Sequence, residues 1–459
     1  MNGLWATRRG THLVRKGFAF AVFALASASA SAAPAIDEEV PDRGIFSLRP
    51  APRWEEGLLI GNGRMGGVVL GRPGHETIHL SHERVVIPNH VAEPPPNLAH
   101  LLPETRRLIR EGKRQEAAQM VWEESRRIAG WNGLVWTDPF VNACNLEIKL
   151  PGLAERDAYR RSIDYETGVA RVQWVGGETR YEERAFLSRP DNIMVLELTA
   201  AGKKKLAGIV SLKAGAHPYH HRIKDEQLLS EEGWLTYRCG YKLTDGGYEV
   251  IGRVESDGTY ANEGDSIRFS GARRVRVLLR IVPLDGSADS QFDKTKAALK
   301  SLGRKSFAEL LATHVAVHGE LFRRVKLDLS SDVAERTMPA EDLWKKTHKA
   351  EATPALLERV FDAGRYQVIC STGDWPPNLQ GVWHGGGTSA WMGDFTLNGN
   401  VQSAIAHYLN GNLPELLLSF TSYLEERIPQ FRANAKNLYN CRGILVPGRS
   451  HNSVTRASP

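Results

Sequence analysis

The side chains best suited to chemistry lie in one stretch, residues 374–402. It contains a glycine-rich turn, three tryptophans and two asparagines spaced two apart: Trp375, Trp383, Trp391, Asn398 and Asn400. The flat face of an indole suits the apolar side of a pyranose ring, and an amide can hydrogen-bond sugar hydroxyls. We interpret the stretch as the floor of a carbohydrate site. At least one of the tryptophans should instead be buried in the core, since large aromatic side chains bury well.

Four side chains of this stretch are predicted to bind substrate: Gln380, Trp383, Trp391 and Asp394. Asp374 and Asp394 are its only acidic residues. A carboxylate can accept hydrogen bonds from two neighbouring hydroxyls, so we expect Asp394 to bind sugar or to support the site, but not to catalyse. The stretch contains no Lys or Arg, and phosphorolysis, which needs a phosphate pocket, is therefore disfavoured.

Neither a metal nor a cofactor is predicted. His314 and His318 have the i, i+4 spacing of a metal pair, but no acidic residue stands between them as in H-E-x-x-H. Packing of a helix face at a domain junction is the favoured interpretation. The four cysteines are scattered, and they are expected to be buried free thiols or to form at most one disulfide. The glycines of Gly61-Asn-Gly63 indicate a hairpin turn, because their spacing fits no phosphate-binding motif.

The spacing of apolar residues, which predicts the elements that position these side chains, changes along the chain. Short apolar or alternating runs separated by turn residues predict a large antiparallel β-sandwich over residues 45–285. From about Asp293 the pattern is helical. One more strand is predicted at residues 325–329, and helices are predicted at residues 354–370, 400–409 and 414–428. Within the β region, residues 103–128 are predicted to form a helix on a sheet surface.

The amino terminus predicts export. Four basic residues precede an apolar run, and Ala30-Ser-Ala32 supplies a small-x-small cleavage site, so residues 1–32 are interpreted as a signal peptide. The run is too short for a stable membrane anchor, and a periplasmic or extracellular location is expected. Removing four positive charges from a net charge of +6 leaves +2, which does not favour nucleic-acid binding.

Five segments together resemble glycoside hydrolase family 95, the α-L-fucosidases: Gly61-Asn-Gly-Arg-Met-Gly-Gly67, Tyr159-Arg-Arg-Ser-Ile-Asp164, Phe361-Asp-Ala-Gly-Arg-Tyr366, Asn378-Leu-Gln-Gly-Val-Trp383 and Asp394-Phe-Thr-Leu-Asn-Gly-Asn-Val-Gln402. The resemblance implies a multi-domain β-then-α fold. Its parts would be an N-terminal antiparallel β-supersandwich (45–285), a helical linker (286–340) and an (α/α)6 catalytic barrel from residue 341. Its substrate would be an oligosaccharide or polysaccharide with terminal α-linked L-fucose or an L-galactose-type unit.

The resemblance also implies an inverting mechanism, in which a glutamic acid protonates the leaving oxygen and an aspartate activates water. Asn398 and Asn400 match the two asparagines that orient this water, because an amide oxygen can accept from water without taking its proton. They would project to the same side of an extended backbone, although Asn400 could instead cap the following helix. The family's acid and base lie in later barrel helices and match no residue here. We therefore expect the barrel to be incomplete at residues 341–459, with an inactive fragment or a sugar-binding protein as the alternative.

Two departures from the family pattern leave the sugar specificity open. After the first hairpin the family often has a Leu-Asn-Glu-like run followed by Trp, whereas this chain has Leu80-Ser-His-Glu-Arg-Val85. Between the two asparagines it has Gly399, where a bulkier residue is usual.

Overall fold

The computed structural model describes residues 35–36, 39–91, 93–129, 136–153, 156–285, 289–348 and 351–451. The predicted signal peptide and residues 452–459 lie outside these ranges. The first sixteen strands are β1 (Gly44–Ser47), β2 (Leu58–Gly61), β3 (Met65–Val69), β4 (His75–His82), β5 (Cys144–Lys149), β6 (Ala158–Asp164), β7 (Val169–Gly176), β8 (Thr179–Ser188), β9 (Ile193–Gly202), β10 (Leu206–Ala214), β11 (Ile223–Glu231), β12 (Trp234–Tyr241), β13 (Gly246–Ser256), β14 (Thr259–Glu263), β15 (Ser266–Ala272) and β16 (Arg274–Asp285).

These strands form two antiparallel sheets that face each other. The nine-stranded sheet has the order β1-β6-β7-β8-β9-β16-β13-β12-β11, and the seven-stranded sheet has the order β14-β15-β10-β5-β4-β3-β2. Alternate side chains of both sheets, among them Ile78, Leu146, Val172 and Val277, are buried in one shared core. The period-two pattern of the sequence thus directs one face of each sheet inward, and the predicted sandwich is confirmed.

The helices are α1 (Leu102–Arg110), α2 (Arg114–Ala129), α3 (Phe292–Leu302), α4 (Phe307–Arg323), α5 (Val333–Arg336), α6 (Ala340–Thr347), α7 (Pro354–Ser371), α8 (Asn400–Ile405), α9 (Leu417–Glu425) and α10 (Ile428–Tyr439), and two short strands, β17 (Phe395–Thr396) and β18 (Arg449–Ser450), pair with each other. Helices α3 and α4 cover the outer face of the nine-stranded sheet, where Leu299, Phe307 and Leu310 pack on Ile193 and Val195. This cover explains why β9 begins with four consecutive apolar residues, Ile193 to Leu196.

Several predicted elements are corrected. Residues 325–329 are not a strand, because they pair with no other segment in the described part of the chain, and Leu329 is 41% exposed. The helix predicted over residues 103–128 is a helical hairpin broken at Gly112, whose φ is +81°. It packs on the helical region rather than on a sheet, since Val121 packs against the cluster formed by Leu98 and Leu438 of α10. Helix α8 ends at Ile405, earlier than predicted, and α10 was not predicted.

The sandwich and the helical region meet at the turn between β2 and β3. Asn62 Oδ1 accepts hydrogen bonds from the Arg64 and Met65 amides, and Gly63, with φ +95°, donates its amide to Cys370 O in α7. A Cβ on Gly63 would lie 2.2 Å from Thr372 O. The predicted hairpin turn is therefore confirmed, and its glycine is required by close contact with the end of α7.

The histidine pair lies at the same junction. His314 and His318 are buried and stacked with ring centroids 4.9 Å apart. His314 Nδ1 accepts from the Arg189 amide at 3.1 Å, and His318 Nε2 contacts Tyr165 O at 2.9 Å. Burial lowers the pKa of His318 to about 4, so its ring is neutral at pH 7. The predicted packing role is confirmed.

The cysteines are all free thiols, of which Cys144, Cys239 and Cys370 are buried and Cys441 is exposed. Within the described ranges, no group of three or more His, Cys, Asp or Glu side chains is arranged to hold a metal ion. None of the helices in these ranges is both long enough and apolar enough to cross a membrane.

Candidate functional site

The asparagine pair lies on the surface of the helical region, between β17 and α8. Asn398 is in the turn at residues 397–399, and Asn400 is the first residue of α8, whose N-cap is Gly399. Both side chains are exposed. No side-chain cap forms, so the capping alternative for Asn400 is wrong. The segment is a turn rather than an extended strand, and the i, i+2 reasoning does not apply to it.

The asparagine turn is held from behind by the end of the described chain. The Leu397 amide donates to Gly448 O at 2.9 Å, directly before the pairing of β17 with β18. Below it, Trp375, Phe395 and Tyr423 form a small apolar cluster. The exposed amides therefore rest on a packed base.

Asp394 anchors this base and is not open to a sugar. Its side chain is fully buried. Its Oδ2 accepts from Arg449 Nε at 2.6 Å and from Thr137 Oγ1 at 3.0 Å, and its Oδ1 accepts from Thr396 Oγ1 at 2.7 Å. The sugar-binding role expected for Asp394 is thus replaced by a structural one. The carboxylate joins the sandwich domain, the asparagine segment and β18.

The three tryptophans of the stretch have different environments. Trp375 and Trp383 are 4% and 6% exposed, and Trp383 Nε1 donates to Ile60 O at 2.8 Å. Trp391 is 60% exposed. Trp391 and Met392 both adopt the left-handed conformation, with φ of 54° and 62°, which is unfavourable for bulky residues and is often found at functional sites. Trp391 therefore remains a candidate for sugar contact, and Trp375 belongs to the core.

Gln380 and Trp383 line a different feature, a cavity of about 850 Å³ between α7, β2 and the loop after Trp375. Its other lining residues are mostly apolar and include Leu59, Val360, Phe361, Val368 and Leu379. Asn398 and Asn400 do not line it. The structure thus separates the predicted site residues into a cavity group and a surface group that contains Trp391 and the asparagines.

Two residues beside Trp391 were missed by sequence reasoning. Trp136, from the segment before β5, has its ring centroid 6.2 Å from that of Trp391. The guanidinium of Arg449 lies 4.9 Å from the Trp136 ring and 5.1 Å from the Trp391 ring. No local sequence signal links these residues, because they are distant in the chain and only the fold brings them together.

A charged cluster holds the start of the stretch on the β2–β3 turn. Arg64 makes two hydrogen bonds to Asp374, at 3.0 and 2.6 Å, and Arg84 lies 3.7 Å from the same carboxylate. Burial alone would raise the pKa of Asp374, but the Arg64 hydrogen bond and the two positive charges outweigh it and lower that pKa. Nearby Glu83 is buried, and burial raises its pKa to about 8.

Residues 374–402 contain no arginine, but arginines from other segments lie around them. Arg64 pairs with Asp374, Arg449 with Asp394, and Arg427 with Glu426. Each of these guanidinium groups already has a carboxylate partner, so their presence does not by itself make a phosphate pocket.

Comparison with known families assigns both regions. Residues 45–282 match the model "Glycosyl hydrolase family 65, N-terminal domain", and residues 306–455 match "Glycosyl hydrolase family 95 catalytic domain". The helical region is a family 95 catalytic domain, and it follows a sandwich domain of the family 65 N-terminal type. The second match contains Asn398, Asn400 and Trp391, and the first contains Trp136, so both regions that meet at the surface group lie within the matched domains.

Relatives with curated names agree with this assignment. "Alpha-L-fucosidase 2" of Arabidopsis thaliana is 26% identical over 86% of this chain and 50% of its own length. "Probable alpha-fucosidase A" of Aspergillus niger is 24% identical over 83% of this chain and 49% of its own length. The chain thus spans about half the length of these relatives.

One solved structure shows a related fold. A protein assigned as a kojibiose phosphorylase from human microbiome has a TM-score of 0.51 and 9% identity, over 91% of this chain and 54% of that one. This likeness supports the arrangement of an antiparallel β-sandwich followed by a helical region.

Proposed function

We propose that this protein is an exported glycoside hydrolase that removes terminal α-linked L-fucose, or an L-galactose-type unit, from glycans. The observation that carries the proposal is the exposed surface formed by Asn398, Asn400 and Trp391 within the family 95 catalytic-domain match. The names of the relatives support the choice of sugar. In this proposal α7 to α10 are part of an (α/α)6 barrel, and residues 1–32 direct export.

The surface fits one part of an inverting hydrolysis. In such a reaction two carboxyl groups stand about 6.5–9.5 Å apart, leaving room for a water molecule on the far side of the sugar. Asn398 and Asn400 can orient that water through their amide oxygens, and their amide N–H groups can donate to sugar hydroxyls. Proton transfer must come from carboxyl groups other than Asp394, because its oxygens already accept bonds from Arg449, Thr137 and Thr396.

Fucose release tests the proposal. A chain extended through the helices in which the family has its acid and base is purified and incubated with an aryl α-L-fucoside and with α-L-fucosyl lactose, and free L-fucose is measured. We expect release by the wild type and a loss of about a hundredfold in kcat/KM when Asn398 and Asn400 are both changed to Ala. Asn440→Ala, at the exposed end of α10, is the matched control. Equal rates in the wild type and the double variant would contradict the role of the pair.

Sugar binding without hydrolysis is the second candidate function. It is favoured by the structural role of Asp394, the only carboxylate within the segment from Trp391 to Gln402. Binding measured on the same samples distinguishes the two functions. Binding of α-L-fucosyl lactose with no fucose release would favour sugar binding without hydrolysis. Failure both to bind and to release fucose would contradict both.

A further inference from the structure

Trp136 and Trp391 form a paired aromatic surface at which the two domains meet. Trp136 is 40% exposed and Trp391 is 60% exposed, and their ring planes are inclined by 41°. Arg449 lies about equally close to both rings, so its guanidinium holds them together. We call these three residues the indole platform. Two large indoles left exposed side by side are unusual for a part of the surface that binds nothing.

The Trp391 side of the platform is fixed by the backbone. The left-handed conformations of Trp391 and Met392 are held by three bonds: Arg449 Nη2 donates to Trp391 O at 3.0 Å, the Phe140 amide donates to Met392 O at 2.8 Å, and Tyr219 Oη donates to Met392 Sδ at 3.3 Å. An unfavourable backbone persists only where surrounding contacts impose it. The structure therefore uses contacts from the sandwich domain to hold an exposed tryptophan outward.

The Trp136 side is fixed by the residues that follow it. Thr137 is buried and bonded to Asp394, and Asn89 donates its side-chain amide to Thr137 O at 3.1 Å and its backbone amide to Asp138 Oδ1 at 2.7 Å. Trp136 thus directly precedes a well-anchored segment. A rigid aromatic side chain loses little conformational freedom when a ligand binds to it.

The charge of the platform indicates which sugars it accepts. Arg449 carries the platform's positive charge, and its ion pair with the buried Asp394 at 2.6 Å neutralises it. What remains is apolar ring surface with a few N–H donors. This chemistry suits a neutral pyranose that presents C–H groups on one face, and it gives no particular advantage to a sulfated or carboxylated sugar.

The platform adjoins the asparagine turn. Arg449 follows Gly448, whose carbonyl accepts the Leu397 amide, and a Cβ built on Gly448 would lie 3.5 Å from Asn398 Nδ2. A sugar unit on the platform would therefore be the neighbour of a unit placed against Asn398.

We infer that Trp136 and Trp391 bind a second sugar unit, a neutral pyranose linked to the terminal sugar, and that the protein thereby recognises an oligosaccharide through both of its domains. The inference rests on the proposed function, since it takes the asparagine turn as the place of the terminal unit. It assigns to Trp136 of the sandwich domain a part in substrate selection.

Calorimetric titration of the full chain tests the inference. The two ligands are free L-fucose and an α-L-fucosyl lactose whose fucosyl bond is made through sulfur, so that hydrolysis does not interfere. Trp136→Ala should weaken binding of the trisaccharide analogue about five- to tenfold and leave fucose binding unchanged. Trp136→Phe, which keeps an aromatic face, should recover most of the loss. Trp344→Ala is the matched control, because Trp344 is 57% exposed on α6.

The inference is overturned if the wild type binds the trisaccharide analogue no more tightly than fucose, or binds neither. It is also overturned if Trp136→Ala weakens both ligands equally, or weakens the trisaccharide no more than Trp344→Ala does. Fucose release measured in parallel distinguishes the two proposals. Hydrolysis with a KM unaffected by Trp136→Ala contradicts the subsite alone, whereas Trp136-dependent binding without hydrolysis contradicts only the proposed hydrolase.

Discussion

Replacing Arg449 by leucine should release the whole asparagine segment. Asp394 is fully buried, and the Arg449 Nε–Asp394 Oδ2 bond of 2.6 Å supplies the positive charge that balances it. At an effective dielectric constant of about 20, opposite charges about 4 Å apart attract by about 4 kcal/mol. Breaking a buried pair by removing one partner typically costs about 3–5 kcal/mol. The Thr137 and Thr396 hydroxyls would remain as donors, but they carry no charge.

The companion variants make this prediction specific. Asp394→Asn should cost less, about 1–3 kcal/mol, because Arg449 is 18% exposed and can be partly hydrated. The double variant, which combines Arg449→Leu with Asp394→Asn, should be more stable than Arg449→Leu alone, since it contains no unpaired buried charge.

Hydrogen exchange at the peptide covering residues 394–402 is the appropriate assay, because a chain of this size need not unfold in two states. We expect exchange at least about a hundredfold faster in Arg449→Leu and substantial recovery in the double variant. The Arg449–Asp394 pair does not hold the segment if Arg449→Leu exchanges within about twofold of the wild type. The same conclusion follows if the double variant is less protected than both single variants.

Three further predictions concern the domain junction. Because the pKa of Glu83 is raised, the free energy of unfolding should fall by several kcal/mol as pH rises from 4.5 towards about 8. Glu83→Gln should remove this loss, which is measured by comparing unfolding midpoints at pH 5 and pH 8. The lowered pKa of His318 has the opposite sign: stability present above pH 6.5 should decline by about 3 kcal/mol towards pH 4, and His318→Gln should flatten that slope. Gly63→Ala should lower the free energy of unfolding by about 1–3 kcal/mol from its φ of +95° alone, and by more because the new Cβ would contact Thr372 O. Gly112→Ala is the control: its φ is +81° but nothing lies near its Cβ, so it should show the backbone effect only.

The sandwich could be predicted because its pattern is local. Alternation within strands such as β7 and β8 directs one face inward, and turn residues separate the runs. The same reasoning failed at residues 325–329, which alternate apolar and polar side chains but have no partner strand. A strand needs a neighbour, and whether one is available is a property of the whole fold.

The site was only partly predictable for the same reason. The asparagines and Trp391 could be named as candidates because their types and spacing are visible in one stretch, and their role stays a prediction. The role of Asp394 was missed because its partners, Thr137 and Arg449, lie far from it in sequence. Trp136 gave no signal at all, because its significance depends on the fold placing it beside Trp391.

Release of L-fucose from α-L-fucosyl lactose by a purified chain extended through the helices in which the family has its acid and base is the most direct measurement of the central claim. The account predicts release by the wild type, a loss of about a hundredfold when Asn398 and Asn400 are both alanine, and no change in Asn440→Ala. No fucose release by the wild type, or equal release by the wild type and the double variant, would contradict it.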